Sequence, residues 1–357
     1  MNSSSRYTRR SFFRQSALAG LAAGAGGPLV DLVRAAAETS APRAPTSVAF
    51  TTGTDRAAMV FQGLKPFAER IRRAIAGRRV VIKPNNVAID VLLSATHVDC
   101  LEGILEFLKS IGRTDNIVIA ESAGAGPTFD GFGNYGYTRL ADKYGVKLVD
   151  LDQEPVEVVQ VFDEKDFRPH AVRMSQVLLD PNSYLISATR LKTHDRVIAT
   201  LSLKNLIVGA PIKDTGFRWG PSSRPGAKND KPLIHGSGFR GINYNLFAIA
   251  QRLHPHVSVL DGVEGMQGNG PVGGTPVDHR VCVVSPDWLA ADRVAVELMG
   301  IDFAKVGYLN YCAQAKLGEA NLAKIEILGP ALKDQVKPYH LHDNVAEQLI
   351  WMRPVQG

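Results

Sequence analysis

Residues 79–120 read RVVIKPNNVAIDVLLSATHVDCLEGILEFLKSIGRTDNIVIA. Arg79-Val80-Val81-Ile82-Lys83 is an unbroken apolar run that ends in a lysine, the pattern of a strand covered on both faces. Val98 to Ile111 then places apolar residues at helical spacing, and Gly112 closes it. Asn116 to Ala120 is a second short apolar run rich in isoleucine and valine. Strand, crossover helix and strand in this order predict a parallel pair, because parallel neighbours cannot be joined by a tight turn.

The same alternation extends in both directions. Arg56 to Ala76 has helical periodicity with Pro66 as a kink, and a helix at Tyr137 to Tyr144 leads to a strand at Val146 to Asp150. Further strands are expected at Val156 to Phe162, Tyr184 to Ala188, Val257 to Leu260, Val281 to Ser285 and Lys324 to Leu328. Helices are expected at Tyr244 to Leu253, Leu289 to Met299 and Val306 to Lys316. The fold class is therefore α/β: a mostly parallel, doubly wound sheet with helices on both faces. One stretch breaks the rhythm. Residues 210–241 carry six glycines, four prolines and eight charged residues without hydrophobic period, so they read as an insertion, either a solvated surface loop or a lid. A single domain is assigned to residues 48–330, a linker to 38–47 and a C-terminal extension to 331–357.

The formal charge of +6 comes from 41 basic and 35 acidic side chains among 357 residues. Residues 1–37 supply five of the arginines and one aspartate, and without them the counts become 36 and 34, a charge near +2. That balance gives no argument for a nucleic-acid partner. Thr8-Arg9-Arg10-Ser11-Phe12-Phe13-Arg14 followed by the weakly apolar run Ser16 to Val30 resembles a twin-arginine export signal, with Ala35-Ala36-Ala37 as a small-residue cleavage site. The resemblance implies an exported, periplasmic protein whose transient partner is the twin-arginine translocase. The apolar run is too short to span a bilayer, and no later segment reaches the roughly 20 residues required. Cys100, Cys282 and Cys312 are far apart and form no C-x-x-C pair, so the chain writes no self-ligated iron–sulfur cluster or zinc framework.

In doubly wound sheets ligands bind beyond the carboxyl ends of the strands. Lys83 and Asn85 end one expected strand, Glu121 and Ser122 the next, Lys192 and His194 follow a third, Asp261 and Glu264 a fourth, and Asp287 a fifth. Their recurrence on one edge predicts a common polar cleft. The stretch 190–209, RLKTHDRVIATLSLKNLIVG, adds Lys204 and Asn205 to a helix that is otherwise apolar on nearly every side, with Glu121, Asp261 or Glu264 as carboxylate partners for the lysine. His97 opens the helix of residues 98–111, and His235 lies in the insertion. Gly268 to Gly273 spells G-x-G-x-x-G, but Pro271, Pro276 and the strand that follows exclude the helix a dinucleotide site needs. Gly268 and Gly270 remain candidates for a backbone anion nest.

These pieces together resemble the bacterial family called domain of unknown function 362. The matching segments are VVIKPN, Thr96-His97, RLKTH, TLSLKNLIVG, DGVEGMQGNGP, Ala291-Asp292-Arg293-Val294-Ala295 with LMGID, and KLGEANLAKIEILGP, in family order from about residue 79 to 330. Some members carry ferredoxin-like cysteine modules, which this chain lacks. The resemblance implies a fold and a site more than a reaction. The expectation is a cleft for a small anionic or metal-bound ligand, with Lys192, His194 and Lys204 as catalytic groups. Lys83, Asn85, His97, Glu121, Asn205, Gly268 and Gly270 are the ligand-binding set, and Asp261 with Glu264 would hold a divalent metal as cofactor. Proton transfer next to a carboxylate, or hydrolysis, suits those residue types. The rival class is a non-catalytic periplasmic carrier of a metal or anion, or an iron–sulfur-associated accessory protein.

Overall fold

Eleven strands are formed in the computed structural model, which describes residues 46–354: β1 Thr46–Thr52, β2 Arg79–Lys83, β3 Ile117–Glu121, β4 Lys147–Asp150, β5 Val156–Phe162, β6 Pro169–Ser175, β7 Ser183–His194, β8 Ile198–Thr200, β9 Val257–Gln267, β10 Thr275–Ser285 and β11 Ile325–Leu328. The export signal and most of the linker lie outside the described residues. Nine strands form one sheet in the order β11-β1-β10-β9-β7-β2-β3-β4, with β8 paired to β7. Neighbours are parallel except around β10, which runs against both β9 and β1, and at the short β7/β8 pair. The sheet is α/β and mostly parallel.

Strand alternation sorts its side chains between two cores. Val80, Ile82, Ile186 and Val259 face the helices Arg56–Leu64, Ala68–Ile75 and Val98–Ser110. Val81, Leu185 and Leu260 face the opposite side, against Ser202–Gly209, Gly238–Ala250 and Trp288–Leu298. Val80, Val81 and Ile82 are wholly buried, each contributing about 1.5–3 kcal/mol from apolar burial. Gly112 closes the helix Val98–Ser110 with φ of +77°, a left-handed conformation that glycine adopts at little steric penalty. Pro66 sits in a 3-10 turn between the helices Arg56–Leu64 and Ala68–Ile75, so the expected kink is a break. The three cysteines are free and buried.

Four differences from the sequence reading have physical causes. β1 occupies part of the expected linker, since Ser47-Val48-Ala49-Phe50 gains its partners from β10 and β11, distant in sequence. Val156 to Phe162 is a strand, but it pairs with β6 in a separate two-stranded sheet. β7 and β9 are longer than their apolar runs, so Lys192, His194, Asp261 and Glu264 lie within strands; the first three are buried there and Glu264 stays exposed. Because β10 is reversed, its carboxyl end is at the other edge of the sheet. Asp287 there accepts the Ala290 N–H at 3.1 Å and caps the helix Trp288–Leu298.

The chain order β2-β3-β4 moves outward from β2, whereas β7 and β9 lie on its other side. The direction of winding reverses between β2 and β7, leaving a crevice beyond their carboxyl ends. Among the described residues no helix is long and apolar enough to cross a membrane.

Candidate functional site

Lys83 closes β2 on the side covered by the helix Ser202–Gly209, and it is 1% exposed. Its ammonium meets Glu121 Oε1 at 2.6 Å, Asn205 Oδ1 at 3.1 Å and the Pro84 carbonyl at 2.7 Å. Glu121, at the end of β3, uses its other oxygen to accept the Asn86 N–H at 2.8 Å, and Oε1 also accepts from Ser122 N at 2.9 Å. Asn205 donates to the Lys83 carbonyl and to Ser187 Oγ on β7, while Asn85 donates to Asn205 Oδ1 at 2.8 Å. One buried network thus ties the ends of β2 and β3 and the middle of β7 to one helix. Burial depresses the Lys83 ammonium, and Glu121 opposes that shift. A Cβ at Gly209 would collide with the head of Lys83, so the helix must carry glycine where the lysine passes.

The helix is anchored from the other side. Asp292, on Trp288–Leu298 and wholly buried, accepts from Ser202 N at 2.9 Å, Ser202 Oγ at 2.6 Å and Leu203 N at 3.2 Å, satisfying the open donors of the helix's first turn. Burial pushes its carboxyl up to about 7, against the lowering by those donors. This cap fixes the direction of Lys204 and Asn205.

Beyond the network lies a cavity of about 560 Å³. Lys83, Asn85, Glu121, His194, Lys204 and Asn205 line it, so the structure gathers six of the sequence-selected residues from β2, β3, β7 and one helix. Asn86, Arg196, Lys231 and His235 complete its polar wall, and Trp219, Pro271 and Val272 lie on its rim.

A family model described as domain of unknown function (DUF362) matches residues 80–297. The chain belongs to this family. The DUF362 span runs from β2 through most of the helix Trp288–Leu298, and so holds the buried network, the helix it fixes and the cap at Asp292. Over 147 residues the chain is also 27% identical to Thylakoid-associated protein sll1697 of Synechocystis sp., a match that covers 41% of each chain. The chain therefore spans well under half the length of that curated relative. No solved structure matches.

Lys204 differs from Lys83 in having no partner. It is 3% exposed, and among the described residues no protein group accepts a hydrogen bond from its ammonium. Burial lowers it to about 7, helped by Lys83 and resisted by Asp195. Lys231 is lowered to about 7 chiefly by burial, with Asp152 resisting, and it donates to the Pro211 carbonyl at 2.6 Å. Burial, with Lys204 next, holds His194 well below the usual imidazole range and His235 down to about 3, so both rings are neutral at pH 7.

The remaining candidates lie elsewhere. Lys192 is buried beside the cavity without lining it, because its ammonium turns to the Ser94 carbonyl at 2.6 Å. Burial, then Lys204, Arg190 and Lys83, push it well below the usual lysine range. Asp261 stands opposite Arg190 and Cys282 in the sheet, on the face of the helix Arg56–Leu64, and pairs with Arg56 at 2.7 Å. Glu264 is half exposed and pairs with Arg190 at 3.3 Å. The expected metal pair is thus two separate ion pairs, and neither carboxylate partners Lys204. His97 caps the helix Val98–Ser110, accepting the Asp99 N–H at 3.2 Å on that same side of the sheet. Gly268 and Gly270 form a turn in which Gly270 packs against the Thr193 carbonyl; the loop reaches the cavity through Pro271 and Val272.

Sequence reasoning missed Asn86, Arg196 and Lys231. Lys231 sits in the aperiodic insertion, where charge signals solvent by default. That segment is instead fastened down. Arg173 pairs with Asp214 at 2.6 Å and Asp230 at 2.9 Å, Lys213 pairs with Asp152, and Ile234 is fully buried.

Proposed function

We propose that the cavity binds a small oxyanion, a carboxylate or phosphate, and that Lys204 exchanges a proton with it. The observation that carries this reading is the ammonium of Lys204, which has no hydrogen-bond partner among the described residues and belongs to the cavity wall. A buried charge without a partner is strongly disfavoured, and an anion in the cavity supplies the missing one. Asn86 Nδ2, a donor on the cavity wall, is buried without a hydrogen-bond partner. Lys231 adds a second cation to the cavity wall, whereas Lys192, expected as a catalytic group, does not line it. A lysine near 7 is divided between acid and base at neutral pH, which suits proton transfer at a carbon next to a carboxylate.

Native mass spectrometry of the purified chain identifies any bound mass, and titration with a panel of small carboxylates and phosphates ranks the class. Protonated lysines hold the anion, so affinity is expected to fall as pH rises through about 7. Lys83, Lys192, His194, Asp195 and His235 are the groups whose charges act with or upon Lys204, and the two imidazoles stay neutral over this window. Affinity that is flat between pH 6 and 8, or absent for every anion tested, would count against the reading. Binding without turnover of any bound compound would make the protein a carrier.

Export by the twin-arginine route to the periplasm rests on Arg9, Arg10 and the run that follows. Arg9→Lys with Arg10→Lys is expected to leave the protein in the cytoplasmic fraction. Unchanged fractionation of that variant would sink the assignment.

A further inference from the structure

Two histidines of the cavity wall meet an aspartate beside it, and the family description gives them no role. His194 ends β7, Asp195 follows it, and His235 arrives from the helix Lys231–His235. We infer that His194, Asp195 and His235 form a site for a divalent transition-metal ion.

The distances are those of a donor set. His194 Nε2 and His235 Nε2 lie 3.3 Å apart. Two nitrogens each about 2.0–2.1 Å from one tetrahedral ion stand about 3.3–3.4 Å from each other. The same gap is long for a hydrogen bond between two imidazoles. Asp195 Oδ1 lies 3.2 Å from His194 Nδ1 and 3.7 Å from His235 Nε2, and one ligand atom from each of the three residues falls within 4.8 Å of the others. That carboxylate oxygen is also buried without a hydrogen-bond partner, an independent sign of a missing ligand.

The Arg196 N–H points at His194 Nδ1 at 3.0 Å, which places the proton of the free ring on Nε2. Ion uptake through Nε2 places the ring proton on Nδ1, so the Arg196 N–H contact at that nitrogen is given up and Asp195 Oδ1 stays free for the ion. Two imidazoles and one carboxylate suit zinc or ferrous ion, whereas calcium and magnesium prefer oxygen alone. With three protein donors the ion keeps open positions. Lys204 and Arg196 act on the same rings, so those positions favour an anionic ligand.

The site stands on its own geometry and does not depend on the oxyanion reading. The test uses the untagged chain, stripped with a chelator, in chloride buffer free of carboxylates and phosphates, titrated with Co²⁺ and then with Zn²⁺ in competition. One equivalent of Co²⁺ with the visible absorption of a tetrahedral nitrogen–oxygen site is expected. His235→Ala should weaken uptake at least about 100-fold and Asp195→Asn about 10–100-fold, with unchanged circular dichroism. Substoichiometric uptake by the natural chain, or full uptake by both variants, overturns the inference. If His235→Ala fails to fold, Asp195→Asn decides alone. Anion binding measured on the stripped protein shows separately whether the oxyanion reading holds.

Discussion

Lys83→Met is expected to destabilise the fold by about 3–5 kcal/mol, the range for breaking a buried ion pair by removing one partner. The loss does not come from a missing attraction alone. Glu121 is 1% exposed and accepts two backbone N–H groups that hold its carboxylate in place, so removing the ammonium leaves a fixed, buried negative charge. The exposed pair Arg72–Glu69, at 2.9 Å, is the contrast, because water screens it and hydrates either partner when the other is removed. Lys83→Met combined with Glu121→Leu should recover much of the deficit, since an apolar pair replaces the charged one. Urea unfolding reads both, as a shift of midpoint at constant slope. A midpoint for Lys83→Met within about 0.5 kcal/mol of the natural chain would show that the network positions the cavity without holding the fold.

Lys204→Met should separate binding from stability. Removing the unpartnered cation is expected to weaken oxyanion binding about 100-fold, or 2.7 kcal/mol. The same change should raise stability by about 2 kcal/mol, because an unpaired buried charge is exchanged for an apolar stem of similar length. The pH dependence gives the sign. The folded value near 7 lies below the ordinary lysine value of 10.5, so between the two the unfolded chain binds more protons. The stability linked to this group is fully present above 10.5 and is lost as pH falls through about 7. In Lys204→Met that part of the slope disappears, and the gain in stability is larger at pH 6 than at pH 9. A variant that binds its anion as well as the natural chain, or that is less stable at both values, removes Lys204 from the centre of the site.

How much of this was legible in the sequence depended on whether a residue's partners were local. RVVIK, NIVIA and the helix between them declared the parallel sheet, because apolar periodicity is a property of neighbouring residues. Lys83, Glu121 and Asn205 were visible as polar groups in places where burial was already implied. Pairing was not. Glu121 was an equally good partner for Lys83 or Lys204, and only the depth of each lysine in the folded sheet decides between them. Asp261 and Glu264 followed an apolar run and so looked like loop ligands, yet β9 continues through both, and its register sets Asp261 opposite Arg190. The entry of β1 depended on contacts between segments more than 200 residues apart, beyond any local pattern, whereas β10 is reversed by pairing with β9 across the short loop of residues 268–274. Lys231 was hidden by glycine and proline around it, and only the ion pairs of Arg173 and Lys213 reveal that its segment is fixed.

The three buried thiols offer a clock. Burial raises all three, Cys312 to about 12 and the others further, so almost no reactive thiolate exists while the sheet is closed. Cys100 and Cys282 belong to the core on one side of the sheet and Cys312 to the other, so the order in which a maleimide labels them would time the opening of each half of the molecule.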